Sequence, residues 1–252
     1  MAKLNERDAD RRANRVLDSN PADYSEALER GLAVLNAFER AEERLTQAQL
    51  ARKLDLPRAT VRRALLTLTH LGYLVSDDRA FRLAPKVLTL ASSYLTTNPV
   101  SSVLQPECDR LAEIFQTSCT AAVLDGPVAV MIARALPRQA LPIGQGIGFQ
   151  VPAARSALGL VLLAGLDESR QAAYDVERGR VAEVAERGYA YVANDVEAGF
   201  HSVAVALRRW DGITIAALNV GATIERLPER DMIEQVLPVL HESAERLQRL
   251  LL

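Results

Sequence analysis

Residues 46–81, TQAQLARKLDLPRATVRRALLTLTHLGYLVSDDRAF, admit few folds. Thr46 followed three positions later by Gln49 is a capping-box start for a short helix whose inner face carries Leu50 and Leu54. Asp55-Leu56-Pro57 breaks that helix, and Pro57 suits the first turn of the next, where no amide donor is needed. In the second helix Val61, Ala64, Leu65, Leu68 and Leu71 recur at helical spacing, while Arg58, Thr60, Arg62, Arg63 and Thr67 fall on the other side. Gly72 ends this helix, and residues 73–75 can pair with 81–83 as a two-stranded wing. An apolar face for partner helices and a basic, hydrogen-bonding face slim enough for a major groove are the layout of a winged helix-turn-helix. The expected partner is double-stranded DNA.

The formal net charge of −2 over 252 residues at first argues against nucleic acid, but the charge is unevenly placed. Residues 1–100 hold 16 basic and 13 acidic side chains, a balance of +3; residues 101–252 hold 14 and 19, a balance of −5. A basic face on one part of an acidic chain fits a regulator with a separate sensing domain. No apolar run has membrane-spanning length and the N-terminus is charged, so the protein is expected in the cytoplasm, with no membrane partner. Cys108 and Cys119 are too few for a disulfide framework, and Cys108 shares an apolar helix face with Leu104, Leu111 and Phe115, as a reduced core cysteine does.

Residues 1–20 are polar and without periodicity, and read as a flexible arm. A helix over 25–38, with Leu28, Leu32, Leu35 and Phe38 on one face, completes the DNA-binding domain at 21–84. A helix over 85–95 carries Val87, Leu88, Ala91 and Leu95 and leads to the break at Asn98-Pro99, so 85–98 form a linker helix and 99–252 a second domain. There a helix over 101–115 precedes strands over 119–124 and 128–135, joined at Asp125-Gly126. An extended glycine-rich segment over 140–149 and a buried helix over 153–166 follow. Strands over 189–192, 202–208 and 213–220 come next, the last two meeting at Asp211-Gly212. A final amphipathic helix carries Ile233, Leu237, Leu240, Ala244, Leu247 and Leu251. The expected class is α+β, an antiparallel sheet flanked by helices.

These segments resemble the IclR-type bacterial transcriptional regulators. The resemblance rests on ALERGLAVLNAF, LTQAQLARKLDLPRATVRRALLTLTHLGYL, FRLAPKVLTL, VPAARSALGLVLLAGL, GYAYVANDVEAGFHSVAVAL and GITIAALNVGATIERL, in that order over some nine-tenths of the chain. The segment RLAPKVLTLASSYL after the wing is similar to the branch that regulates aromatic-acid catabolism. The resemblance implies a winged helix-turn-helix, a linker helix and an effector domain with a six-stranded antiparallel sheet. It also implies homodimers that pair through their DNA-binding halves, often associate into tetramers and occupy palindromic operators.

On the DNA side, Arg58, Thr60, Arg62, Arg63 and Thr67 are the expected groove-facing residues, with Thr46 and Gln47 as phosphate contacts and Arg79 and Arg82 on the wing, flanked by Asp77 and Asp78. Carried over from the family, an effector pocket would be lined by Ile143, Ala157, Leu158, Val192, Phe200, Ser202, Asn219 and Gly221. Few polar groups in an apolar cleft suit a small organic acid, aromatic or otherwise apolar. Arg134, Arg155 and His201 are the candidate partners for its carboxylate, with backbone amides near Gly221 as a neutral alternative. His201 stands where the aromatic-acid branch often has arginine, Ala206 where it often has proline, and Arg155-Ser156-Ala157-Leu158 departs from its threonine-serine pattern.

Enzymatic readings find little support. His70, His201 and His241 lack a second histidine or cysteine at ligand spacing, so no metal is expected. Gly144, Gly146 and Gly148 alternate without the G-x-G-x-x-G spacing of a dinucleotide loop, and no other cofactor is implied. Trp210, in a hairpin, suits packing or a subunit contact. The alternative to a regulator is a small-molecule-binding or enzymatic α+β protein whose helix-turn-helix serves protein association.

Overall fold

Ser25 caps the first helix, α1 (Glu26–Asn36), by accepting from the Leu28 amide. The computed structural model describes residues 24–38, 44–97, 99–137 and 146–251; the arm expected at 1–20, Ile143 and most of the glycine-rich segment lie outside them. Two compact units, residues 1–92 and 93–252, divide the chain within α4 (Val87–Thr97).

In the first unit α1 is followed by strand β1 (Leu45–Thr46), α2 (Gln47–Lys53), α3 (Arg58–His70), β2 (Leu74–Asp77) and β3 (Ala80–Leu83). The capping box forms as expected: Thr46 Oγ1 accepts from the Gln49 amide while Gln49 Oε1 accepts from the Thr46 amide at 2.8 Å. Asp55 ends α2 in the left-handed region at φ 52°, which a short polar side chain tolerates, and Gly72 does so after α3 at φ 80°. The core joins Val34, Leu50, Val61, Leu65 and Leu74.

Three expectations need correction here. The wing has three strands, in the order β1-β3-β2, because Leu45 and Thr46 pair with Phe81 and Ala80; two residues carry no readable period. The buried positions are Val34 on α1 and Ala37 and Phe38 just after it, whereas Leu28 and Leu32 stay 63% and 49% exposed. Only the C-terminal half of α1 finds a core to enter. Leu71 is also exposed, since it caps α3 after the last turn that meets the core.

The second unit begins with α5 (Pro99–Phe115), which starts at the proline itself, as proline at a helix start can. Its sheet is fully antiparallel, with six strands ordered β6-β5-β4-β9-β8-β7: β4 (Ser118–Asp125), β5 (Val128–Ala135), β6 (Gln150–Pro152), β7 (Tyr189–Ala193), β8 (Phe200–Arg208) and β9 (Thr214–Thr223). The helix expected over 153–166 is a 3-10 turn, Ala153–Arg155, and then α6 (Ala157–Ala164), whose N-cap Ser156 receives the Gly159 amide at 3.1 Å. Two helices absent from the sequence reading, α7 (Glu168–Gln171) and α8 (Arg178–Arg187), are short and half charged, which hid their period. The last helix runs through α9 (Glu229–Asp231), a π turn at Met232–Val236 and α10 (Leu237–Gln248). Pro238 lacks an amide and its ring crowds the preceding turn, which accounts for the widening.

Alternation along the strands splits the core in two. Val203, Val205, Leu218 and Val220 face Leu104, Leu111 and Leu240 of α5 and α10, together with the free, fully buried thiols of Cys108 and Cys119. Ala190, Ala204 and Ala217 face Leu160 and Leu163 of α6. Small residues on that second face let α6 approach the strands closely.

Glu107 on α5 is buried between arginines, with Arg110 Nη2 at 2.7 Å and Arg246 Nη2 at 2.6 Å from its oxygens. Burial alone would raise its pKa, but hydrogen bonds from Arg110, Ser243 and Arg246 outweigh that and hold it at about 2 instead of 4.5. A depressed carboxylate stabilises fully above its unfolded value, so this contribution is present above pH 4.5 and is lost as pH falls toward 2. Glu107→Gln is expected to cost about 2 kcal/mol at neutral pH, less than the full linkage because both arginines are partly exposed. Urea denaturation at neutral pH and at about pH 3 checks this, because the gap from wild type should narrow in acid. An equal gap at both would assign the loss to packing alone.

Candidate nucleic-acid interface and effector pocket

The face of α3 opposite the core carries Arg58, Arg62, Arg63 and Thr67, all exposed, with Thr60 half-buried beside them. Val61, Leu65 and Leu68 hold the other face down, so the basic residues project together from a braced helix. The Gln47 side-chain amide donates to the Arg58 carbonyl at 3.0 Å, which ties the start of α2 to the start of α3. The Thr46 hydroxyl belongs to the capping box and donates to Gln49 Oε1 at 2.7 Å. Both side chains expected at phosphates therefore also brace the motif. On the wing Arg79 and Arg82 are exposed, and Asp77 is held by Arg44, which offsets one of the acidic charges beside them.

In the second unit a cavity of about 200 Å³ opens between the α6 face of the sheet and the loop after β7. Of the residues expected there, Ala157, Leu158, Val192, Phe200, Ser202, Asn219 and Arg134 line it. Gly221 lies under it: a Cβ at this position would come within 2.5 Å of Phe200 Cζ, so only glycine admits the ring. Strand register sets the floor. Thr120 pairs with Arg134 on one side and Asn219 on the other, and Asn219 pairs onward with Ala204. Paired residues share a face, so these four form one row across β5, β4, β9 and β8. Ser118, Gly221, Ser202 and Val192 form the next row by the same pairing.

A β-bulge brings Arg134 into this pocket. Ala122 pairs with Met131 but Ala121 with Ala133, leaving Ile132 as the extra residue. Met131 and Arg134, three apart, would otherwise point to opposite faces; both line the cavity, with Arg134 Nη1 3.8 Å from Met131 Sδ. Burial pulls the Arg134 guanidinium down from its usual pKa. Desolvation of that kind strengthens its attraction for an anion.

His201 is a correction. It lies on the opposite face of β8 from Ser202, fully buried, with Nδ1 2.8 Å from the Tyr191 hydroxyl and the rings edge to face. Burial lowers its pKa, against the Leu227 backbone and Glu229, which favour the charged ring. One residue's shift along a strand reverses the face, so His201 is a core side chain and not a ligand for the cavity. Arg155 serves the rim: it donates to the Asp195 carbonyl at 2.6 Å while Arg180 holds the Asp195 carboxylate at 2.8 Å. Ser118, Thr120, Met131, Phe149 and Ser156 also line the cavity and were not anticipated. Alternation from Arg134 across to Asn219 would have pointed to Thr120, had the strand register been known.

Comparison with known proteins closes the question of family. Residues 27–78 match the IclR helix-turn-helix domain, and 92–249 match the bacterial transcriptional regulator IclR C-terminal domain. The chain belongs to the IclR family. It is a DNA-binding transcriptional regulator. It is 33% identical over 236 residues to the Pca regulon regulatory protein of Pseudomonas putida, spanning 86% of this chain and 81% of that one. Against the p-hydroxybenzoate hydroxylase transcriptional activator of Acinetobacter baylyi it is 32% identical, over 90% of this chain and 92% of the relative. A crystal structure of an IclR homolog from Microbacterium hydrocarbonoxydans, complexed with 4-hydroxybenzoate, superposes with a TM-score of 0.71 at 23% identity, covering 89% of this chain and 98% of that one. Among the described residues of this IclR-family regulator, no helix is long and apolar enough to cross a membrane.

Proposed function

We propose that this regulator binds a palindromic operator as a dimer and that a small aromatic monocarboxylic acid, held in the α6-side cavity, sets its affinity for DNA. The reading divides the chain into a DNA-binding domain at 21–84, a linker helix at 85–98 and an effector domain at 99–252. Arg58, Thr60, Arg62, Arg63 and Thr67 face the major groove, with the wing arginines, Arg79 and Arg82, at the backbone or minor groove. Leu28 and Leu32 on α1, and Leu88 and Leu90 on α4, are exposed apolar side chains that a second copy would cover.

The observation that carries the effector reading is a desolvated guanidinium in an apolar cleft. Among the described residues Arg134 is the one cationic side chain in the lining, against Phe149, Leu158, Val192 and Phe200 for a ring. Asp195 and Glu197 belong to the same lining, so a ligand with one negative charge suits it better than a diacid. The named functions of the Acinetobacter relative and the ligand of the Microbacterium structure agree with an aromatic acid. For the ligand to regulate, it must favour one arrangement of the DNA-binding heads over the other, typically by about 1–3 kcal/mol.

Titration calorimetry of the full chain with 4-hydroxybenzoate tests the site. Arg134→Gln is expected to weaken binding by about tenfold or more, the loss of a charge-assisted hydrogen bond. Its operator affinity without ligand should stay at the wild-type value. Equal ligand affinity in variant and wild type would move the carboxylate elsewhere.

A further inference from the structure

Resting on that reading of the cavity, the polar row on its floor says more about the ligand than its charge. Arg134 and Asn219 both pair with Thr120, from opposite sides. Their backbones are therefore two strand spacings apart, about 10 Å. Beyond Asn219 the row continues as Ala204 and Ala190, neither of which carries a polar side chain.

Asn219 is 9% exposed, and its Oδ1 is buried with no hydrogen-bond partner among the described residues. A buried amide left unsatisfied costs about 1–3 kcal/mol, so a group that satisfies it gains that much over one that does not. Rotation of the side chain presents either the oxygen or the NH2 to the cavity. A hydroxyl, which both donates and accepts, answers either end. A ring C–H answers neither, and a carboxylate is drawn to Arg134.

We infer that Asn219 reads a ring hydroxyl, so that the effector is an aromatic monoacid hydroxylated at the 3- or 4-position, lying along the row with its carboxylate on Arg134 and its hydroxyl on Asn219. Thr120, between the two, supports the carboxylate end. A 2-hydroxy acid has both groups at one end and leaves Asn219 unanswered, as does benzoate. Asn219 thereby acts as the specificity determinant, and Arg134 binds acids without distinguishing among them.

The test is a ratio measured by calorimetry on the full chain, with 4-hydroxybenzoate, 3-hydroxybenzoate, benzoate and salicylate as probes. Wild type should bind one or both of the first two at least about tenfold tighter than benzoate and salicylate. Asn219→Leu should bring that ratio close to one, because the hydroxylated acids lose a partner that benzoate never had. Asn219→Ala, which removes the amide without adding bulk, reads the same ratio should the leucine variant fold poorly. Arg134→Gln should weaken all four probes together and preserve the ratio. A wild-type ratio near one, or one that survives both Asn219 variants, overturns the assignment while the arginine result still stands. Absence of binding by every probe, or an Arg134→Gln variant that binds like wild type, overturns the proposed effector site and this assignment with it.

Discussion

A variant with Arg62→Ala and Arg63→Ala together is expected to bind operator DNA about a hundredfold more weakly than wild type, a loss of about 3 kcal/mol. Both side chains are exposed on α3, opposite the residues that hold it in its core, so folding should be unaffected. Fluorescence anisotropy with labelled operator at several salt concentrations measures the loss and assigns its origin. Arginines on phosphates release counterions, so their removal flattens the salt dependence by roughly one charge each. An arginine that reads guanine instead narrows the difference between operator and unrelated DNA. Binding at wild-type strength, with a wild-type salt slope, would remove α3 as the recognition helix.

Gly159→Ala is expected to destabilise the second unit by about 3 kcal/mol or more, beyond the usual range for one added methyl. The new Cβ would lie 2.2 Å from Ala153 Cα and 2.2 Å from its carbonyl oxygen. These are backbone atoms, so no rotamer change relieves the overlap. The 3-10 turn and α6 would have to separate, carrying Ser156, Ala157 and Leu158, three residues of the cavity wall. In a unit of this size such a loss corresponds to a fall in Tm of about 10 °C, which calorimetric melting resolves. Loss of 4-hydroxybenzoate binding below the lowered Tm should accompany it. A Tm within about 2 °C of wild type would mean that α6 shifts without cost, against the packing seen here.

Much of the cavity could be read from residue types at matching positions: seven of the expected lining residues line it. The error at His201 and the omission of Thr120 share one cause. Both depend on which face of a strand a side chain occupies, and a single residue of register reverses it. Arg134 shows the same sensitivity, since it shares a face with Met131 only through the extra residue at Ile132. Nothing local at Ile132 announces a bulge. The exposed Leu28 and Leu32 are a different matter: apolar spacing marks a face to be buried, and cannot say whether the same chain or another copy buries it.

By itself the sequence determined whatever depends on neighbours along the chain. The capping box at Thr46 and Gln49, the break at Asp55-Leu56-Pro57, the stop at Gly72 and the basic face of α3 involve residues within one or two helical turns. Short-range sterics and hydrogen bonding specify such features without reference to the rest of the molecule. The tertiary structure alone decided the row from Arg134 through Thr120 to Asn219. Those residues are far apart in sequence and meet only when β5, β4 and β9 pair in one register, which burial of the sheet's two faces selects as a whole.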